Sequence, residues 1–586
     1  MKKLHLDIET ESPVDLKLSG IHVYAEKATI ALFGFAFDDD PVSVVDLAHG
    51  ETLPDKVVVA LKNDSILKIA HNAAFERTLI KACLKIDCPP EAWRCTMVLC
   101  LYNGLPKSLD AACRVLGLPG KLKTLDVTSD KAYNANDVVI ERRLWAQLDP
   151  MPEDEWRLWA MDQHINDAGV LIDELFVYKA VRLLTENRAK LMAEAKKLTN
   201  LANPNSPAQL GKWLGLDNVK KETITEELKT AEGDRKRVLE IRQVLALSSV
   251  SKYQTFLHYR GSDGRVRDSL QFIGGHTGRW AGRGIQPQNL PRRVCSDETF
   301  GKTLDNAEDI ELFFGSLPAF MSSMLRSVII APPGGYLRID DYSSIEARVC
   351  AWLAKEEWIL KVFRDKGPYY EITATKLYNL TLDKVDKPMR QKGKVAALSL
   401  QYQGGVAALK KQGASDYMTE EEMEELKHLW RRQCPHIVRY WYALDEAAQA
   451  AVRTGTTIKV GCIAFRYQNN NLYIDLPSKR YLIYRNARLG ISAHTGGPTV
   501  GYDAPKGKNM VYIQLYGGLL TENIVQALSR DIMCEQLKHC YEHCILTIHD
   551  EIVLENHTLA TLYMPGWASG LPMEIKGYNS PHYTKD

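Results

Sequence analysis

Two short apolar strands that end in acids, about 200 residues apart at Asp341 and Asp550, constrain this chain more than any other feature. Tyr336-Leu-Arg-Ile-Asp340-Asp341-Tyr342-Ser343-Ser344-Ile345-Glu346-Ala-Arg348 reads as a strand, 336–340, running into a helix. Neighbouring strand residues face opposite sides, so only one of Asp340 and Asp341 can serve a common site. Cys544-Ile-Leu-Thr-Ile-His549-Asp550-Glu551-Ile-Val-Leu-Glu555 reads as two strands, 545–548 and 552–555, around an acidic turn. A lone acidic hairpin turn is usually only a turn. Two such strand ends in one chain suit phosphoryl transfer, whose in-line displacement uses two metal ions about 4 Å apart. The fold must then bring Asp341 and Asp550 together.

Between them, Met389-Arg390-Gln-Lys-Gly-Lys394-Val-Ala-Ala-Leu398-Ser-Leu-Gln-Tyr402 sets Arg390, Lys394, Leu398 and Tyr402 at steps of four. On a helix these form one slowly drifting stripe roughly 18 Å long. Its order is cation, cation, apolar, aromatic. That order suits a nucleoside triphosphate: charge for the phosphates, an apolar contact for sugar and base, a ring toward the template. An amphipathic helix with snorkelling basic residues gives the same pattern, and the stripe alone is read that way.

With 586 residues the chain is too long for one core, and Asp149-Pro150-Met151-Pro152 is a candidate boundary. Before it, strand-like and helix-like runs alternate, which predicts an α/β domain over 1–150. Strands are expected at 4–8 and 30–37, helices at 107–116 and 138–148. Residues 153–260 are expected to be mostly helical and the rest mixed. Leu4-His-Leu-Asp7-Ile-Glu9 puts Asp7 and Glu9 on one face of a strand. Two acids on a buried face are costly unless a positive group lies between them, and a divalent metal is the natural one. Solvated acids at a strand end are the plain alternative. A strand over 66–70 leads into His71-Asn72-Ala-Ala-Phe75-Glu76, with Glu76 early in a helix. Tyr133 and Asp137 stand at i and i+4 of a helical face.

A formal net charge of +1 does not advertise a nucleic-acid binder. Acidic metal ligands and basic phosphate contacts cancel in that sum, however, and local clusters such as Arg279-Trp-Ala-Gly-Arg283 and Arg292-Arg293 carry the signal. Twelve cysteines without a C-x-x-C pair fit a reducing compartment. No signal peptide and no apolar run of bilayer length is visible.

In order and separation, Asp7 with Glu9, Glu76, and Tyr133 with Asp137 resemble the three exonuclease motifs of the proofreading DnaQ-like superfamily. The resemblance implies an RNase H-like α/β domain in which Asp7, Glu9, Glu76 and Asp137 hold two metal ions and Tyr133 orients the attacking water. Glu76 departs from that pattern, which carries aspartate there; the longer side chain can still ligate.

The strand ends at 341 and 550, with the stripe between them, resemble motifs A, C and B of the family A DNA polymerases, and the likeness runs nearly end to end. It implies a mixed α+β right-hand polymerase domain over 151–586. Its palm would be 151–184, 261–350 and 510–586, its thumb 185–260 and its fingers 351–509. By this resemblance Asp341 and Asp550 are the metal-binding catalytic carboxylates, with the Tyr342 carbonyl as a further ligand and Glu551 in support. Arg390 and Lys394 bind the triphosphate, and Lys394 can protonate the leaving pyrophosphate. Leu398 lies against the incoming nucleotide and Tyr402 at the templating-base gate. His549 meets the primer terminus, and Glu346 is the steric gate against a ribose 2′-hydroxyl. Arg279, Asn289 and Gln526 touch DNA. The implied cofactors are two Mg2+ ions, or Mn2+, in each active site. The implied partners are primer–template DNA and dNTPs, with the chain a monomer and no membrane involved.

Leu398 stands where the family has Phe or Tyr, Ser399 replaces its glycine, Ser344 a motif A glutamine and Glu522 a common asparagine. With the Tyr402-Gln-Gly-Gly405 ending, these choices resemble phage members. The chain begins almost at the first exonuclease strand, so the 5′-nuclease domain of the bacterial enzyme is expected to be missing. Residues 296–318 and 484–509 match nothing in the family. The expected function is template-directed, primer-dependent DNA synthesis with 3′→5′ proofreading, serving phage replication in the bacterial cytoplasm. A single-subunit RNA polymerase shares the palm carboxylates, but Glu346 disfavours ribonucleotides. A nuclease that keeps its polymerase half only to bind DNA has no need of Asp341, Lys394 and Asp550 together.

Overall fold

In the computed structural model, which describes residues 2–291, 310–311, 314–559 and 561–584, the N-terminal alternation becomes a five-stranded mixed sheet. Its strands are β1 (Lys3–Glu11), β2 (Thr29–Phe37), β3 (Ser43–Asp46), β4 (Leu67–Ala70) and β5 (Trp93–Cys95), in the order β3-β2-β1-β4-β5. β2 runs antiparallel to β1 and β3, β4 runs parallel to β1, and β5 to β4. Leu4, Leu6 and Ile8 of the central strand are buried. The Lys131–Gln147 helix packs across β1 and β2. It starts at 131 rather than at the expected 138, because Asp130 caps it by accepting from the Tyr133 N–H. The Leu109–Val115 helix falls inside the expected 107–116. Arg292, Arg293 and most of 296–318 lie outside the described residues.

Past Pro152 the chain is mostly helical as far as Tyr259, with a two-residue strand at Val170–Leu171 between the Glu153–Ala168 helix and the 26-residue Glu174–Thr199 helix, and Gly233–Leu245 beyond them. The 26-residue helix is about 39 Å long. Near its end, Leu198 joins a small separate core of Leu210, Leu214, Val219, Ile224, Val238 and Leu239. A much larger core runs from Ile165 to Tyr583. Within it lies a four-stranded antiparallel sheet in the order Cys544–Ile548, Glu551–Glu555, Leu337–Tyr342, Ile575–Ser580. The Gly517–Leu537 helix is buried along most of its length.

Residues 458–514 form a six-stranded antiparallel meander, each strand paired with the next: Ile458–Val460, Ile463–Gln468, Asn471–Asp475, Tyr481–Ile491, Pro498–Lys506 and Asn509–Gln514. The 484–509 segment that matched nothing by sequence is therefore one arm of this sheet. Its Asn469-Asn470 hairpin uses two left-handed residues, at φ 49° and 60°, a turn that asparagine favours. The meander also braces the N-terminal region. Tyr481 packs edge-on against Tyr102 with ring centroids 5.0 Å apart, Tyr473 donates to Asp149 at 2.7 Å, and Arg485 donates to the Asn103 carbonyl. No helix among the described residues is long and apolar enough to cross a membrane.

Candidate active sites

The antiparallel ladder of the four-stranded sheet brings Asp341 and Asp550 side by side. Asp341 is in register with Glu551 on one neighbouring strand and Lys576 on the other. The Tyr342 N–H donates to the Asp550 carbonyl at 2.9 Å. Only His549 and Asp550 join Cys544–Ile548 to Glu551–Glu555, and His549 takes a left-handed φ of 54°. Ser344, just past the other strand end, has the same φ. Such a backbone costs on the order of 1 kcal/mol for a residue with a side chain, and here it turns the chain sharply at both acids. Asp341 and Asp550 are half-buried on the wall of a cavity of about 770 Å³, which Glu346, Tyr370, Leu398 and Lys576 also line. Glu551 is fully buried beside them.

Asp340 turns to the opposite side, as strand alternation requires. It is fully buried, accepts from Arg338 Nε at 2.9 Å, and burial raises its carboxyl above the ordinary range. Gly577 leaves room for it: a Cβ there would stand 1.8 Å from Asp340 Oδ1.

The wall opposite is the Lys387–Leu400 helix, capped by Asp386, which accepts from the Met389 N–H at 2.8 Å. It carries Arg390, Lys394 and Leu398, but the expected stripe does not reach Tyr402. The helix ends at Leu400, because Gln403 at φ 63° and then Gly404-Gly405 close it. Tyr402 instead turns back and donates to Glu346 Oε2 at 2.7 Å, while Arg279 donates to Oε1 at 2.7 Å. Arg390 pairs with Glu371 at 2.7 Å. Lys394 is half-buried and forms no ion pair among the described residues. Gln526 donates to Glu522 at 3.0 Å on the Gly517–Leu537 helix. His549 and Asn289 are exposed.

In the N-terminal sheet, β1 presents Asp7 and Glu9 and the Lys131–Gln147 helix presents Asp137. One oxygen of each lies within 4.8 Å of the other two. The helix comes this close because Gly34, opposite Asp7 on β2, has no side chain: a Cβ would lie 2.4 Å from Asn134 Oδ1. Asn134 Nδ2 in turn donates to Asp7 Oδ2 at 2.7 Å. Glu76, on the Ala74–Leu79 helix, is 3% exposed. Its Oε2 and Asp137 Oδ1 are buried without a hydrogen-bond partner. Burial, then repulsion by Asp137 and Glu9, pushes the Asp7 carboxyl well up. Burial lifts Glu9 to about 7, and burial with the Asp7 charge raises Glu76. Acids crowded this way, with oxygens left over, suit a hard divalent cation. Tyr133 stands one turn before Asp137. Sequence reading passed over Asn134, whose i, i+3 spacing to Asp137 was a usable signal, and Lys121, whose ammonium pairs with Asp137 from an irregular segment that carries none.

The family described as DNA polymerase family A matches residues 177–472, half of the chain. The DNA polymerase of Bacillus phage SP02 is 38% identical over 649 aligned positions, covering 100% of both chains. DNA polymerase I of Pseudomonas aeruginosa is 26% identical over 48% of this chain and 31% of its own. The thermostable DNA polymerase I of Thermus aquaticus is 25% identical over 45% and 30%. Among solved structures, the POL domain of Pol1 from M. smegmatis, in complex with DNA primer-template and dNTP, shares the fold. It gives a TM-score of 0.64 at 15% identity and covers 99% of this chain and 95% of that one. A family match over half the residues and a phage relative alike from end to end lead to one conclusion: the chain belongs to DNA polymerase family A.

Proposed function

We propose that the chain performs template-directed, primer-dependent DNA synthesis from dNTPs and trims 3′ ends with its N-terminal domain, in the replication of a phage genome in the host cytoplasm. One observation carries the synthetic half: Asp341 and Asp550, distant in sequence, share the wall of a cavity of nucleotide size. The trimming half is supported by the four crowded acids around β1. We read 1–150 as an exonuclease domain of RNase H-like fold, supported by the β3-β2-β1-β4-β5 order with β2 antiparallel. Residues 151–184, 261–350 and 510–586 are read as palm, 185–260 as thumb and 351–509 as fingers.

In this reading Asp341, Asp550 and the Tyr342 carbonyl hold Mg2+ or Mn2+ for synthesis, and Asp7, Glu9, Glu76 and Asp137 hold it for trimming. All are hard oxygen donors. When bound, such ions supply Lewis-acid charge to the attacking and leaving oxygens. Lys394 binds the triphosphate and, as an ammonium, donates a proton to the departing pyrophosphate, and Arg390 exchanges Glu371 for phosphate. Glu346, pinned by Arg279 and Tyr402, fills the space a 2′-hydroxyl needs. Leu398 packs against the nucleotide, Tyr402 guards the template side, and His549 meets the primer end. Arg279, Asn289 and Gln526 hold the DNA, and Tyr133 orients the water for trimming. The Pol1 domain of like fold was solved with primer-template and dNTP, the partners proposed here.

A labelled primer–template tests both halves. Asp341→Ala or Asp550→Ala should lower extension on the order of a thousandfold or more and leave 3′ trimming intact. Asp7→Ala/Glu9→Ala should do the reverse. Normal extension by Asp550→Ala ends the first assignment, and normal trimming by the double variant ends the second.

A further inference from the structure

Lys121 stands at the N-terminal carboxylates, and nothing above uses it. It comes from the irregular segment between the Leu109–Val115 and Lys131–Gln147 helices. Its ammonium pairs with Asp137 Oδ2 and lies 4.9 Å from the centre of the Tyr133 ring, so one lysine meets both residues that the helix offers to the site. Its charge also works against the rise that burial imposes on the Asp7, Glu9 and Asp137 carboxyls. The side chain is 33% exposed, while Asp137 is 2% exposed. Glu76 Oε2 and Asp137 Oδ1 nevertheless remain buried without partners. A single positive charge thus stands among Asp7, Glu9 and Asp137 and leaves an oxygen of Asp137, and one of the nearby Glu76, unsatisfied.

A divalent cation that enters beside the ammonium at Asp137 competes with it for Oδ2 and repels it at close range, where like charges cost most. We propose that Lys121 is a positioning residue of the trimming site, a resident cation that keeps Asp7, Glu9 and Asp137 together and leaves Asp137 when a divalent ion enters. This rests on the exonuclease reading. Two consequences are opposite in sign. Without Lys121 the cluster takes metal more readily, since no competitor remains and the site is more negative. Without Lys121 the metal-free protein is also less stable, since buried acids lose their counter-charge.

The test uses the full chain carrying Asp341→Ala and Asp550→Ala, so that Mn2+ titrates the N-terminal cluster. Mn2+ affinity is read by electron paramagnetic resonance, and melting temperature is read with and without Mn2+. Lys121→Met should bind Mn2+ at least about fivefold more tightly, a small share of what one charge at contact distance is worth. It should also gain more melting temperature from Mn2+ than its parent does. Lys121→Arg should behave like the parent. Unchanged affinity in Lys121→Met, or an equal gain in melting temperature, overturns the inference. If Lys121→Met does not fold without metal, refolding in Mn2+ should rescue it, and failure to rescue counts against the idea. Adding Asp7→Ala/Glu9→Ala separates the two levels. Mn2+ binding that survives these changes removes the metal site itself and the inference with it. Binding that is lost, beside a parent-like Lys121→Met, removes only the role of Lys121.

Discussion

Asp340 and Gly577 show how narrowly single side chains are set beneath the cavity that Asp341 and Asp550 line. A methyl at 577 would meet Asp340 Oδ1 at 1.8 Å and Arg338 Nη2 at 2.5 Å, so the strand carrying Lys576 would have to shift. Gly577→Ala should cost about 1–3 kcal/mol in urea unfolding and reduce primer extension; a wild-type urea midpoint would contradict this. Asp162 offers a pH prediction. It is 1% exposed, accepts from Trp280 Nε1 at 2.8 Å, and burial lifts its carboxyl to about 7 from the ordinary 3.8. Between those values the native state keeps a proton that the unfolded chain has lost. Its contribution to stability is therefore full below about pH 4, falls as pH rises toward 7, and levels off above. Asp162→Asn should remove this fall, and urea midpoints measured from pH 4 to 8 that run parallel to wild type would refute it. At this scale Asp341, Asp550, Asp7, Glu9 and Asp137 were legible because acids at apolar strand ends, or in step along a helix, are conspicuous. Lys121 was not, since a residue from an irregular segment reaches its partner through the fold and leaves no spacing to read.

Elements were legible where periodicity ran uninterrupted and obscure where the chain turned. The strands around Asp341 and Asp550 fall within two residues of expectation, and β1 and β2 contain theirs. The Lys387–Leu400 helix was also expected, but its end was not. A step of four continues to 402 whether or not the helix does, and only the Gly404-Gly405 pair marks the break. The neighbouring Ile345–Ala354 helix supplies an element-scale prediction. It ends at Lys355, which is exposed and left-handed at φ 58°. Lys355→Gly should stabilise the protein by up to roughly 1 kcal/mol, since glycine accepts that backbone freely while adding some entropy to the unfolded chain. Extension should be unchanged, and a lowered urea midpoint would count against the reading of that cap.

Across the whole molecule, the meander over 458–514 buttresses the N-terminal region through Tyr473, Tyr481 and Arg485. Arg485→Ala with Tyr473→Phe should loosen that brace by about 1–3 kcal/mol. Calorimetry should then resolve an earlier N-terminal transition, and an unchanged thermogram would show that the brace contributes nothing. The α/β character of the first 150 residues was visible in sequence, but the brace was not, because partners nearly four hundred positions apart share no local pattern. The spacing of Asp341 and Asp550 has a different origin. It is written into the ladder by the Tyr342–Asp550 hydrogen bond, so it cannot be retuned without unzipping the interior. In the synthesis proposed above, selection for another nucleotide would therefore work on the helical side around Leu398, treating the floor as an inheritance and the wall as interchangeable.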